Sequence, residues 1–101
     1  MLFAALSESA DRGELLLATG GLCRFHLRRD GVVTIRELLV LPECRGQGVG
    51  RALVESVTQR HPGAKIRARC PASYASNGFW ARMGFVVASQ KGGVNVWERL
   101  A

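Results

Sequence analysis

This sequence has few of the residues that cross-link a chain, carry it through a membrane or keep it unfolded. It contains only three cysteines, Cys23, Cys44 and Cys70, at wide and irregular spacing. An odd count with no C-x-x-C pair supplies neither a disulfide framework nor a zinc set. His26 and His61 stand far from each other in sequence, so no metal site is expected. Three reduced thiols point to the cytoplasm. No apolar run approaches the about eighteen residues that a membrane span needs. The opening Met1-Leu2-Phe3-Ala4-Ala5-Leu6 has no positive region before its short apolar stretch, so a signal peptide is not expected. No repeat, low-complexity block or Pro/Ser linker divides the 101 residues, which predicts one domain over 1–101. Acids are scarce, 8 against 14 Lys plus Arg, giving a formal charge of +6. Such an excess suits a phosphate-bearing partner, either nucleic acid or cofactor. Aromatics are few and sit mostly at core-patterned positions, so the stacking platform of a single-strand binder is missing. Nucleic acid is therefore not the expected partner.

What is present is 48% hydrophobic and therefore globular rather than disordered. Residues 3 to 12 read as a short helix closed by Gly13. Leu15 to Ala18 is a short apolar run before Gly20-Gly21, a hairpin signal because both glycines accept positive φ. From Leu22 to Arg29 the chain alternates, with Cys23, Phe25 and Leu27 on one face and Leu22, Arg24, His26 and Arg28 on the other. Asp30-Gly31 turns it into Val32–Leu41, a long buried strand stopped by Pro42. The period then changes. Val49, Leu53 and Val57, with Ala52 beside them, predict an amphipathic helix over 48–60, ended by His61-Pro62-Gly63. Lys65, Arg67 and Arg69 alternate with Ile66, Ala68 and Cys70 in a strand with one basic face. Ser73 or Ser76 is the expected cap of a second helix carrying Phe79, Trp80 and Met83 and ending at Gly84. Val86–Ser89 and Val94–Trp97 close the chain as a hairpin. The predicted order is β-β-β-α-β-α-β-β, an α/β (α+β) fold with helices on a mixed, mostly antiparallel sheet.

The chemistry concentrates where the long strand meets the first amphipathic helix. Pro42 is followed by Arg45-Gly46-Gln47-Gly48-Val49-Gly50-Arg51. Glycines here let the backbone approach a ligand, and the unpaired amides at the helix start form an anion site. Arg45 and Arg51 add positive charge at the same place. A P-loop would need G-K-S/T where this chain has Gly50-Arg51-Ala52. The dinucleotide fingerprint G-x-G-x-x-G fails too, since the glycines fall at 46, 48 and 50.

At these residues the sequence resembles the GNAT superfamily of acyl-CoA-dependent N-acyltransferases. The family signature R/Q-x-x-G-x-G/A follows a strand ending V-x-P, matched here by Val40-Leu41-Pro42 and Arg45 to Gly50. A second block, F-Y-x-x-x-G-F, is matched by Phe79 to Phe85 except that Trp80 stands at the tyrosine position. The resemblance covers roughly residues 13 to 100, with the family's usual first strand and helix not matched and residues 3 to 12 supplying a remnant of the next helix. It implies acetyl-CoA as co-substrate and a primary amine as acceptor, a small molecule, protein side chain or N-terminus. The amides of Arg45, Gly46, Gln47, Gly48, Val49, Gly50 and Arg51 would hold the coenzyme A pyrophosphate. Leu38, Leu39 and Val40 would pair with the pantetheine arm, and an amide near Val40 would polarise the thioester carbonyl. Ser73 stands where the family often places a cofactor-contacting Asn.

Two proton-handling positions of the family are altered. The indole of Trp80 is no useful acid, and Ala68 falls where some members place a base. Glu37, three residues before Val40, is either a base, an anchor for a cationic acceptor, or a solvated or ion-paired acid. Tyr74 either reaches the sulfur or supports the second helix, and Cys70 is a further, weaker nucleophile candidate with no histidine close in sequence. The basic face Lys65, Arg67 and Arg69 is either solvated, paired, or turned to an anion. The competing readings are a catalytically weak acyl-CoA-binding module and a basic nucleic-acid binder on the same fold. With the family's first elements unmatched, the acceptor side is expected to be open, which suits a large acceptor or a second copy of the chain covering the exposed surface.

Overall fold

Turn residues and the switch from a two-residue to a near-four-residue apolar period decide where each element begins. A computed structural model describes residues 2–101. The chain runs α1 (Leu2–Asp11), β1 (Leu15–Ala18), β2 (Gly21–Leu27), β3 (Val33–Val40), a 3₁₀ turn (Pro42–Cys44) and α2 (Val49–Arg60). It continues through β4 (Lys65–Pro71), α3 (Asn77–Arg82), β5 (Val86–Lys91) and β6 (Val94–Leu100). The fold is the mixed α+β one that the pattern predicts. Its six strands lie in the order β1-β2-β3-β4-β6-β5, antiparallel except for β3 and β4. Among the described residues no helix is long and apolar enough to cross a membrane.

One face of the sheet holds the core. Cys23, Phe25, Val33, Ile35, Ile66 and Ala68 meet Leu53, Val54 and Val57 of α2, and Trp80, Met83 and Phe85 close the far side. Burying each of the larger aliphatic side chains contributes about 1.5–3 kcal/mol. Burial pushes the Cys23 thiol up to about 12, which makes it inert in the core.

Three expectations need correction. Residues 32 to 41 do not form a uniformly buried strand, for only Val33 and Ile35 of β3 are fully buried while Arg36 and Leu39 are exposed. The cause is a bulge: Arg24 pairs with Glu37 and Phe25 with Ile35, so Arg36 is an extra residue on β3. A bulge bends its strand and sharpens the twist, and β3 leaves β4 at that point. In α2 the row beside Val49, Leu53 and Val57 is Gly50, Val54 and Thr58, whereas Ala52 faces solvent. Leu27, placed with Cys23 and Phe25 by alternation, ends its strand 47% exposed because nothing covers the end of β2.

Two half-buried charges tie the elements together. Arg99 of β6 donates to the Met83 carbonyl, to Glu55 Oε1 at 3.2 Å and to Thr58 Oγ1 at 3.2 Å, with its guanidinium 5.0 Å above the Phe85 ring. Glu14, just before β1, accepts from the Leu27 amide at 2.9 Å and lies 3.1 Å from His26 Nδ1. Burial works to raise the Glu14 carboxyl, but the Leu27 amide, the His26 ring and Arg12 outweigh it and hold the group below the usual carboxylate range. A carboxyl so held stabilises the fold above its unfolded value near 4.5 and loses that contribution as pH falls through the lowered one. Glu14→Gln should therefore cost about 1–3 kcal/mol at neutral pH. The gap from the native chain should narrow steadily below pH 4.5 in denaturant titrations.

Candidate active site: a splayed cleft between two parallel strands

The only parallel pairing among the described residues is short. Val33, Thr34 and Ile35 of β3 meet Ile66, Arg67 and Ala68 of β4. Beyond this, β3 stays with β2 as far as Val40 and β4 stays with β6 as far as Pro71. Two strand edges therefore face each other across a gap. The Leu41 amide donates to Gly20 on the β2 side at 2.8 Å. By the alternation of an extended chain, the amides of Leu38 and Val40 then point the other way, into the gap. The resulting cleft has a volume of about 630 Å³. Residues 35–40, Arg45 and Gly50 form one wall, and residues 68–71, Tyr74, Ser76, Phe79 and Trp80 form the other. Most of its lining is apolar, with backbone donors along one rim. Such an edge accepts an extended ligand as an added strand.

One end of the cleft opens onto the start of α2. Gly46 and Gly48 have φ of 76° and 83°, in the left-handed region. Nothing lies within 4 Å of a β-carbon added at either, so the requirement is for the backbone angle, not for space. Gly50 is the opposite case, since an added β-carbon would sit 3.3 Å from Phe79. The turn leaves the first amides of α2, from Val49 onward, without intrahelical acceptors and at the positive end of the helix. Arg45 and Arg51 frame a hollow of about 410 Å³ there, and Arg82 adds a third cation that the sequence pattern did not single out. Arg45 Nε also donates to the Val40 carbonyl at 3.3 Å, which fixes the turn against the strand edge.

A family model for the acetyltransferase (GNAT) domain matches residues 3–87. The chain belongs to the GNAT acetyltransferase family. Solved GNAT structures share its fold. The PaiA N-acetyltransferase of Thermoplasma acidophilum, solved with coenzyme A, is 15% identical with a TM-score of 0.79, over 99% of this chain and 69% of that one. The ribosomal-protein-S18-alanine N-acetyltransferase of Escherichia coli is 20% identical with a TM-score of 0.68, over 80% of this chain and 61% of that one. Arabidopsis thaliana Naa50, in complex with a bisubstrate analogue, is 20% identical with a TM-score of 0.61, over 78% and 64%. The chain thus spans 61% to 69% of the length of these three structures. No curated protein matches it.

Within this GNAT fold the candidate residues are placed as follows. Glu37 lines the cleft with its Oε1 held by Arg24 Nη2 at 3.0 Å. Tyr74 stands on the opposite wall, 60% exposed. Trp80 is 6% exposed and locked edge-to-face between Phe79 and Phe85, with centroids 5.0 and 5.1 Å away, while its surface forms part of the wall. Ala68 is buried opposite Ile35. Cys70 Sγ lies 3.2 Å from Ser76 Oγ. Ser73 is exposed and outside the residues that line the cleft. On the basic strand, Lys65 and Arg67 both pair with Glu98 of β6, at 3.7 and 2.7 Å, so a single cross-strand acid engages two of the three cations and the face stays net positive. Arg69 has no acid within salt-bridge distance among the described residues.

A serine cap is not what holds α3. Ser76 occupies the cap position without a side-chain bond to the helix. The turn is held instead by Asn77, which sequence reasoning missed. Its Nδ2 donates to the carbonyls of Pro71 at 2.8 Å and Tyr74 at 2.7 Å, and its Oδ1 accepts from Asn95 at 3.0 Å and from the Trp97 indole at 2.8 Å. These bonds fasten one cleft wall to β6. Asn77→Ala should strand the Trp97 and Asn95 donors, at about 1–3 kcal/mol for each group left buried and unmet. A melting-temperature loss of that order, with the Tyr74 wall loosened in hydrogen exchange, is the expected outcome.

Proposed function

We propose that this chain is an N-acetyltransferase that carries an acetyl group from acetyl-CoA to a primary amine by direct attack. The observation that supports it is the splayed edge of β3, whose free amides run straight to the glycine-rich start of α2. Coenzyme A suits the residues present. Leu38, Leu39 and Val40 offer an unpaired strand edge for the pantetheine arm, and the amides from Gly46 to Arg51, with Arg45 and Arg51, suit its pyrophosphate. Ser73 would reach the ligand only from the rim, since its side chain faces solvent.

The co-substrate supplies an activated thioester. The chain supplies position and charge. An amide at Val40 would donate to the acyl oxygen as charge grows there, and one such donor is worth about 3 kcal/mol of barrier. Holding the amine and thioester together supplies about 7 kcal/mol or more in well-oriented systems. The amine nitrogen forms the new bond to the acyl carbon as the carbon–sulfur bond breaks. The proton shed by the amine passes to Glu37, directly or through water, and the departing sulfur takes one from Tyr74 or water. The observation that favours the second reading, an acyl-CoA-binding module with little turnover, is Trp80. It is held in the core at the position where the family carries its proton-donating tyrosine.

Acetyl-CoA at a hundredfold excess over its dissociation constant should stabilise the chain by about 2.7 kcal/mol, read as a rise in melting temperature. Gly48→Val, which forces a β-branched residue into left-handed φ at a cost of about 1–2 kcal/mol, should remove that rise; a surviving shift would take the pyrophosphate away from this turn. Glu37→Gln should lower turnover about a hundredfold at neutral pH and flatten the acid limb of the rate profile, with the acetyl-CoA thermal shift retained. An unchanged rate would remove Glu37 as proton acceptor.

A further inference from the structure

The sheet face turned away from α2 carries a second cleft, also about 630 Å³, with a contrasting lining. Arg24, Arg28, Arg36, Arg69 and His26 supply most of it. Ile35, Arg36 and Arg69 belong to both clefts, so a group bound in the second lies next to the acyl end of the first.

The charges around this cleft are unevenly matched. Arg24 pairs with Glu37, Arg28 with Asp30, and the His26 ring with Glu14. Arg36 and Arg69 have no acid within salt-bridge distance among the described residues. They are neighbours by register, because each directly follows a member of the Ile35–Ala68 pair, the last that β3 and β4 make before parting. Two like charges side by side on a sheet repel. Nearby, Arg24 Nε is buried and has no acceptor among the described residues, at a cost of about 1–3 kcal/mol. Solvent alone would satisfy two exposed arginines. It does not account for the unmet Arg24 donor, nor for the bulge that brings Glu37 opposite Arg24, on the face Arg36 also occupies, where strict alternation would turn it to the core.

We propose, on the reading of the first cleft as the acetyl-CoA site, that the acceptor is an amine that also bears a carboxylate or a phosphate. The anion sits between Arg36 and Arg69, and the ammonium turns to Glu37 on the shared rim. This pairs each end of the acceptor with the opposite charge, and Arg24, bridging Glu37 to the cleft, holds the two subsites in register. A nucleic acid is a poorer match, since Glu98 ties up Lys65 and Arg67 and so interrupts the basic stripe that a backbone would track.

The test uses the full chain, acetyl-CoA and a thiol-release readout with matched acceptors. Each set shares one aminoalkyl skeleton ending in a carboxylate, a phosphate or a neutral amide. Expected is a kcat/KM for the anionic members at least about tenfold above that of the amide, with the carboxylate and phosphate arms showing which anion is preferred. Arg36→Gln and Arg69→Gln should each cut that preference about tenfold, chiefly through KM. A second readout is independent of turnover. With the pyrophosphate turn saturated by coenzyme A, inorganic phosphate at constant ionic strength should still raise the melting temperature, and should cease to do so in the double variant. Equal kcat/KM for charged and neutral acceptors, or phosphate stabilisation that survives both substitutions, would overturn the anion subsite while leaving the acetyltransferase standing. Loss of coenzyme A binding and of all turnover would instead sink the underlying reading and the subsite with it. Salt-sensitive binding of single-stranded RNA, abolished by the same substitutions, would reassign the cleft to nucleic acid.

Discussion

The site depends on how briefly β3 and β4 pair. Three residues on each strand hold them in parallel register before they diverge. Had they stayed together, the Leu38 and Val40 amides would be spent on β4 and no strand edge would be available to a ligand. The divergence has an identifiable source in the extra residue Arg36, which bends β3 while β2 keeps its other edge paired. Each strand is held on its outer side, so the gap is a stable feature of the sheet and not a loose end.

Everything that gives the gap its shape is anchored at its margins. At one end, two left-handed glycines and the close approach of Gly50 to Phe79 set the start of α2 over the opening. Along the β4 side, Asn77 fastens the turn before α3 to β6, and Arg99 joins β6 to α2 and to the end of α3. Both are half-hidden polar side chains, Asn77 bonding through both ends of its amide and Arg99 making three bonds, to partners across elements. Such groups add specificity to a small core, because only one arrangement satisfies them all. Trp80 shows the same economy in apolar form, as core aromatic and cleft wall together.

Much of this was legible from the chain. Alternation and the Gly-Gly and Asp-Gly steps foretold β1 to β3, the apolar spacing foretold α2, and the run Arg45 to Gly50 marked the glycine-rich turn that opens it. These features are local: they depend on residues within a few positions of each other. What was misread was not local. The burial of β3 failed at Arg36, since a bulge is a property of two paired strands. Whether Lys65 and Arg67 are paired was left open, because Glu98, 31 residues beyond Arg67, is their neighbour only in the folded sheet. Asn77 carried no signal, since its partners Asn95 and Trp97 lie on a later strand.

The sequence by itself therefore determined the order of elements, the family and the turn that suits a pyrophosphate, because backbone angle, apolar period and a short glycine spacing are written in neighbouring residues. The tertiary structure alone decided where two strands part, which acid meets which base, and that Arg36 and Arg69 stand together, without an acid partner among the described residues, beside the cleft between β3 and β4. Those facts follow from register across the sheet. A single extra residue in one strand changes it, and no local pattern reports it.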